Sequence, residues 1–124
     1  MAYSDTQHLD RLADELIHGV LVEALGIREG IVMTEGPPPY RRLDCDGRAL
    51  AYVRSRPKKD VVRVDISGLW AAPPPSPLQI STATGTALLL RDRFDVRLAI
   101  ELIAESVLTT RERNVRSRSM SQAA

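Results

Sequence analysis

The chain has 124 residues, of which 44% are hydrophobic and 27% charged, and its formal net charge is +1. A chain of this length forms one domain and buries roughly two-thirds of its unfolded surface, so its core needs no disulfide or metal. The single cysteine excludes an internal disulfide framework. Together with a polar, acidic N-terminus and no long apolar run, it predicts a cytoplasmic protein without a membrane span.

The charges are unevenly distributed along the chain. Residues 1–36 carry two basic and seven acidic residues, a sum of −5, whereas residues 37–63 carry eight basic and three acidic, a sum of +5. Residues 64–105 carry three basic and five acidic residues, and residues 106–124 carry four and one. Either a solvated sheet surface or a basic surface that meets a polyanion explains this distribution.

The first predicted element is an amphipathic helix over residues 4–25. Ser4 predicts its N-cap, although Asp5 or Thr6 could serve instead, and Gly26 predicts its end. Apolar residues at spacings of three and four give the helix one buried stripe. The stripe consists of Leu9, Leu12, Ala13, Leu16, Ile17, Val20, Leu21 and Ala24.

The segment that follows this helix has two parts. Residues 27–35 are compatible with a short strand, but their pattern leaves the assignment open. Residues 36–39, with the sequence GPPP, predict extended or polyproline geometry without strand pairing, since proline has no backbone N–H. We interpret this run as a stiff connector.

Residues 40–66 predict a three-stranded antiparallel meander, around which the rest of the chain is arranged. Asp46 and Gly47 lie between two alternating runs and predict a type I′ turn, which requires positive φ at both central residues. The segment Pro57 to Asp60 predicts a second, looser reversal.

The register of this meander has two alternatives. A two-residue first turn and a five-residue second loop collect the bulkier side chains on the core face. These are Leu43, Leu50, Tyr52, Val62, Val64 and Ile66. A four-residue second loop would bring Ala49, Ala51 and Val53 to that face instead. Burial of each large side chain stabilises the fold by about 1.5–3 kcal/mol. Because the first register buries the bulkier set, it is the expected one.

The C-terminal half predicts two more strands and a helix. Trp70, in the proline-rich connector 67–77, is expected to pack over a sheet edge. Residues 78–81 and 86–92 predict strands, with Leu88 and Leu90 sharing a face in the second. Asp95 is expected to cap the last helix, over residues 95–110.

The predicted fold class is therefore α+β. It comprises an N-terminal helix, an antiparallel sheet of about five strands and a C-terminal helix, with both helices on one face of the sheet. Residues 1–110 form the single domain, and residues 111–124 are predicted to be a basic, Ser/Arg-rich flexible tail.

The sequence contains no set of residues that predicts catalysis or a bound cofactor. His8 and His18 are the only histidines, and both are expected on the surface rather than in a metal site. Cys45 lies between Asp44 and Asp46, whose charges would raise the pKa of its thiol and disfavour a reactive thiolate. We therefore expect no enzyme, no metal and no cofactor.

Basic residues with interleaved Tyr40 and Tyr52 give the strongest binding pattern. Such residues contact phosphates in a salt-dependent manner. The candidate nucleic-acid-binding residues are Arg41, Arg42, Arg54, Arg56, Lys58, Lys59, Arg63, Arg111, Arg113, Arg116 and Arg118. The expected function is a non-enzymatic binding or adaptor module, with a nucleic-acid-associated protein as the alternative. A protein partner or self-association through open sheet edges is also expected.

Three segments carry a resemblance to a known family. DGRALAYV, VVRVDIS and TALLLRDRFDVRLAIELIAESV resemble the strands and closing helix of the YjbR/MmcQ-like group of small bacterial proteins, over roughly residues 9–110. The resemblance implies a fold similar to that of DNA-binding double-wing domains. It implies no catalytic residue, because members of the group are mostly without assigned activity.

Overall fold

The computed structural model describes residues 2–23, 31–35 and 40–123. Within them, six strands form one antiparallel sheet in the order β1-β2-β3-β4-β6-β5. None of the helices in these ranges is long and apolar enough to cross a membrane. The elements are α1 (Ala2–His18), continued by a π-helical segment (Gly19–Glu23), β1 (Ile31–Glu35), β2 (Arg41–Cys45), β3 (Arg48–Arg56), a 3₁₀ turn (Pro57–Lys59), β4 (Val61–Ser67), β5 (Gln79–Thr82), β6 (Gly85–Leu90) and α2 (Arg93–Ala123).

The α+β architecture is the predicted one, with both helices packed on the same face of the sheet. We call this face the inner face and the opposite one the outer face. The apolar stripe of α1 and the buried side of α2 share a single core with the inner-face residues of β2, β3, β4 and β6. Fully buried members include Leu9, Leu16, Val20, Leu43, Val62, Val64, Leu88, Leu90, Ala99, Ile103 and Val107.

Helix α1 has the predicted apolar stripe but a different beginning. It starts at Ala2, so Ser4, Asp5 and Thr6 lie inside the helix, and the prediction that one of them caps it is wrong. A cap residue needs a non-helical backbone, and the chain is already helical before it reaches them. The predicted end at Gly26 and the GPPP connector lie outside the described residues.

Residues 31–35, which the pattern left open, form strand β1 and pair with β2. They are the sixth strand of a sheet for which about five were expected. The predicted meander of β2, β3 and β4 is present, and φ is 53° at Asp46 and 79° at Gly47, as a type I′ turn requires.

The predicted register of the meander is wrong. Leu43 pairs with Ala51 and Asp44 with Ala49, so Leu50 occupies a β-bulge between these two pairs. At the second reversal Arg56 pairs with Val61, which leaves a four-residue loop.

The bulge is the physical reason for this outcome. An extra residue in one strand allows Leu50 to be buried together with Ala51, although strict alternation would place them on opposite faces. The two predicted registers would have buried either Leu50 or Ala51, whereas the bulge buries both. Tyr52, predicted to face the core, lies on the outer face because it follows Ala51 in the strand.

The second proline-rich connector is held by the core and by α2. Trp70, expected to pack over a sheet edge, lies in the core instead, and its Nε1 donates a hydrogen bond at 2.8 Å to the carbonyl of Ala49 in the interior strand β3. The backbone N–H of Ala71 donates to Thr110 Oγ1 at 2.7 Å, and the Ser106 hydroxyl donates to the Ala71 carbonyl. Two helix hydroxyls thus satisfy backbone groups that this segment cannot pair within the sheet.

Helix α2 differs from its prediction at both ends. Its N-cap is Asp92, whose Oδ1 accepts the backbone N–H of Asp95 at 2.9 Å, so the prediction that Asp95 caps the helix is wrong. The helix also continues to Ala123, so residues 111–123, predicted to be flexible, are helical. Arg, Glu and Met are good helix formers, and Glu112 pairs with Arg116 one turn later at 2.6 Å.

Candidate nucleic-acid interface

The outer face of the sheet collects basic and aromatic side chains from three neighbouring strands. Tyr52 pairs with Arg42 on one side and with Asp65 on the other, and Arg54 pairs with Arg63. Directly paired residues share a face of the sheet. Because the helices cover the inner face, this array lies on the side that no described helix covers.

Two ion pairs order this array. Arg42 Nε lies 2.5 Å from Asp44 Oδ1, and Arg63 Nη2 lies 3.0 Å from Asp65 Oδ1. Each hydrogen bond to a carboxylate raises the pKa of the guanidinium that donates it. In both pairs the partners are two residues apart, so that strand alternation places them side by side.

Arg54 and Tyr40 form a cation–aromatic pair at the end of the outer face where β2 begins. The Arg54 guanidinium carbon lies 4.9 Å from the centre of the Tyr40 ring, and the Tyr40 and Tyr52 rings meet edge to face at 6.3 Å. Both are favourable aromatic geometries. No described residue accepts a hydrogen bond from the buried Nε of Arg54.

Arg54 lines three concavities, one of which it shares with Asp10 and Asp14 of α1. The other two are lined by residues of the sheet and its loops. The first of these two, of about 440 Å³, is lined by Tyr40, Tyr52, Arg54, Arg63 and Asp65. We call it the aromatic concavity.

The second, of about 390 Å³, is lined by Arg54, Ser55, Arg56, Pro57 and Lys58, and we call it the basic concavity. It lies where β3 extends past β2, whose first residue pairs with Val53.

The structure separates the other predicted binding residues from this surface. Arg41 Nη1 lies 2.5 Å from Oδ1 of Asp14 in α1, and Asp10 of the same helix accepts a hydrogen bond from Ser55. The inner side of this sheet end is therefore acidic.

Arg111 makes two 3.0 Å contacts with Asp46, which ties α2 to the β2–β3 turn and lowers the pKa of Asp46. Arg113, Arg116 and Arg118 are exposed on the distal part of α2. The eleven predicted residues thus fall into three groups, and only Arg42, Arg54, Arg56, Lys58, Lys59 and Arg63 belong to the outer face and its adjoining loop.

The sequence contains a further pattern that points to this surface. Arg42-Leu43-Asp44 and Arg63-Val64-Asp65 are both Arg-x-Asp triplets in predicted strands. Alternation places the first and third residues of each triplet on one face, with the middle residue in the core. The pattern therefore predicts two ion pairs on the face opposite the helices.

The structure places Cys45 in the core and both histidines on the surface. Cys45 is buried, and burial, followed by the charge of Asp46, raises the pKa of its thiol to about 11. Its Sγ also accepts a 3.5 Å contact from Arg111, which opposes the rise. His8 and His18 are exposed, and among the described residues no three metal-ligating side chains cluster.

Comparisons with models of protein families, with curated proteins and with solved structures find no match to this chain.

Proposed function

We propose that this protein is a non-enzymatic, cytoplasmic binding module whose ligand surface is the outer face of the sheet. The observation that supports it best is the position of Arg54, which lines both the aromatic and the basic concavity. Its guanidinium is held against Tyr40 while a buried donor lacks a described acceptor. The contact with the Tyr40 ring makes this guanidinium an ordered cation on the outer face.

The ligand class that fits this surface is a polyanion, and nucleic acid is our first candidate. The outer face and the adjoining loop carry six basic residues against Asp44, Asp60 and Asp65, a sum of +3. Since Asp44 and Asp65 are paired with Arg42 and Arg63, most of the excess charge lies at the basic concavity. Phosphate binding there would be electrostatic and salt-dependent.

The test compares two double variants. One loses two positive charges from the basic concavity, and the other loses two from the distal part of α2. Arg56→Ser with Lys58→Ser should weaken binding to a labelled single strand of about 15 nucleotides at least fivefold at about 50 mM salt. The slope of log affinity against log salt should fall by about 1.4, since each lost phosphate contact contributes about 0.7. Fluorescence anisotropy at several salt concentrations measures both quantities.

The matched control is Arg113→Ser with Arg118→Ser, which removes the same charge from exposed positions on α2. It should change the affinity less than twofold. Equal effects of the two double variants would refute the outer face as the ligand surface, as would binding that does not respond to salt.

Self-association is a second possible use of the sheet. Strands β1 and β5 lie at its two edges, and Ile80 of β5 is exposed, so a second copy could pair with either edge. A light-scattering mass of twice 13.7 kDa would support this use, and a monomer mass at high concentration would argue against it.

We also propose that the chain is a bacterial relative of the YjbR/MmcQ-like group. The support is that the segments DGRALAYV and VVRVDIS, which carry the resemblance, belong to the adjacent strands β3 and β4. Relatives that align these segments with other parts of their sheet would argue against this kinship.

A further inference from the structure

We infer that the outer face binds single-stranded rather than double-stranded nucleic acid, with one base in the aromatic concavity and the adjoining phosphates in the basic concavity. The inference rests on the proposed function and specifies its ligand. It depends on the order of the two concavities along β3 and on the planar groups that line the first.

The lining of the aromatic concavity matches a nucleobase. Tyr40, Tyr52, Arg54 and Arg63 present two aromatic rings and two guanidinium groups, and none of the described residues that line the concavity is aliphatic. Bases stack on aromatic rings and on guanidinium planes, and they are recognised by hydrogen bonds to their edges. The Arg63–Asp65 ion pair lines the same concavity. A carboxylate and a guanidinium have more lone pairs and N–H groups than this pairing uses, and a base edge could bind to the remaining ones.

The stacking surface is already assembled. The Arg54 guanidinium lies on the Tyr40 ring at 4.9 Å, and the Arg42 guanidinium carbon lies 5.9 Å from the centre of the Tyr52 ring. The perpendicular rings, with an interplanar angle of 87°, form a corner. A base that entered this corner would extend the cation–aromatic stack without reordering the strands.

The basic concavity lies in the direction that the sugar-phosphate chain would take. Arg54 and Arg56 are two residues apart on β3, a distance of roughly 6.6–6.8 Å along a strand. Lys58 follows in the loop and lines the same concavity. Asp10 and Asp14 line a third concavity, which Arg54 and Ser55 also border. Because Arg54 and Ser55 border the basic concavity as well, these carboxylates would repel phosphates on that side and favour a path along Arg56 and Lys58.

A duplex could use only part of this surface. Its bases are stacked and paired, and a tyrosine in a concavity cannot stack on a base face unless that base is taken out of the helix. A duplex would therefore contact the cations but not the rings. An acidic peptide would do the same, because carboxylates pair with guanidinium groups and leave the aromatic corner unused.

The first experiment changes the ligand and leaves the protein intact. The wild-type chain is titrated, at about 50 mM salt, with a labelled thymidine 15-mer, the matching duplex, and a 15-mer that carries abasic sites and so keeps the phosphates but lacks the bases. A stacked base is worth about 1–3 kcal/mol, or roughly 5- to 150-fold in affinity. We expect the thymidine strand to bind at least about fivefold tighter than either of the other probes.

The second experiment changes the protein. Tyr40→Leu should lower the affinity for the thymidine strand by at least about fivefold and leave that for the abasic strand unchanged, whereas Tyr40→Phe should stay within about twofold of wild type. Tyr40 precedes β2 and is only partly buried. Circular dichroism of each variant confirms that the fold is intact.

The outcomes separate this inference from the proposed function. Equal binding of all three probes, or displacement of the thymidine strand by a glutamate peptide of equal charge, would overturn the single-strand inference. The polyanion surface would survive that result if the Arg56 and Lys58 double variant still weakened binding. No salt-dependent binding of any probe would end both proposals.

Discussion

At the residue scale, the pKa of the Cys45 thiol is raised by some of its surroundings and lowered by others. Burial and the charge of Asp46 raise the pKa of its thiol to about 11, while Arg111 acts in the opposite direction. In the unfolded chain the thiol ionises near pH 8.5. A folded-state pKa above the unfolded one means that the native protein holds the proton more tightly, so its contribution to stability is complete below the unfolded pKa.

Alkaline pH should therefore destabilise the protein in part through this thiol. Between about pH 8.5 and pH 10.5, the unfolded chain releases the proton that the folded chain keeps. Stability falls by at most about 1.4 kcal/mol per pH unit from this group. We expect the free energy of unfolding to fall by about 1–2 kcal/mol more in wild type than in Cys45→Ala over this interval, measured by urea titration.

The comparison depends on the slopes and not on the absolute stabilities. Cys45→Ala leaves a small cavity in the core, which lowers stability at every pH by a similar amount. Lysine and tyrosine ionisation affects both proteins equally. Parallel pH profiles for the two proteins would show that Cys45 ionises as readily in the folded chain as in the unfolded one.

Tyr52 shows why single residues on the sheet were harder to assign than the strands themselves. Alternation in Arg48 to Arg56 was visible in the sequence, but a bulge shifts every later residue by one position. No local pattern marks a bulge at Leu50, because its burial depends on the neighbouring strand. Because the prediction assumed a strand without a bulge, it assigned Tyr52 to the core, whereas Tyr52 lies on the outer face.

At the scale of elements, the pairing of β4 with β6 depends on a close approach at Gly85. Its φ is 152°, and a Cβ built on it would lie 2.3 Å from the carbonyl oxygen of Ile66. Backbone of a neighbouring strand cannot move aside without breaking ladder hydrogen bonds. Gly85→Ala should lower the free energy of unfolding by at least about 2 kcal/mol.

Gly47→Ala is the matched control for Gly85→Ala, because it adds the same methyl group at a site with open space. Beyond its two chain neighbours, no atom of the described residues lies within 4 Å of a Cβ built at Gly47, whose φ is 79°. The backbone conformation is therefore what opposes the substitution. We expect a cost of about 1 kcal/mol. Urea titrations of both variants compare these costs, and a larger loss for Gly47→Ala would refute the argument from close approach.

The elements that the sequence predicted well are those with local signals. The Asp46-Gly47 turn and the apolar stripe of α1 depend on residues close together in the chain. The length of α2 lacked such a signal, because residues 112–118 are polar apart from Val115, and all of them, Val115 included, are exposed. Polar composition alone favours a tail or a solvated helix equally.

At the scale of the whole molecule, the fold followed from the chain order of apolar patterns, whereas the candidate site did not. Two helices and alternating strands have few arrangements that bury one core. The site, however, depends on which arginines share a face, and that depends on the register of three strands. Arg41 and Arg42 are neighbours in sequence, yet one pairs with α1 and the other with Asp44 on the outer face.

A truncation series tests the predicted boundary between domain and tail at residue 110. Arg111 reaches back to Asp46, whereas residues 112–118 are exposed throughout. A chain that ends at Arg111 should keep its free energy of unfolding within about 0.5 kcal/mol of wild type, because it loses no buried contact among the described side chains. Its circular dichroism should show less helix.

A chain that ends at Ser106 is the control, because it also removes the buried Val107, the Thr110 hydroxyl that accepts the Ala71 N–H, and Arg111. Loss of a buried valine and a buried hydrogen bond should cost at least about 2 kcal/mol. If the outer face is the ligand surface, the chain ending at Arg111 should bind the single strand within about threefold of wild type. A larger loss of affinity, at unchanged stability, would move the phosphate contacts from the sheet to the end of α2.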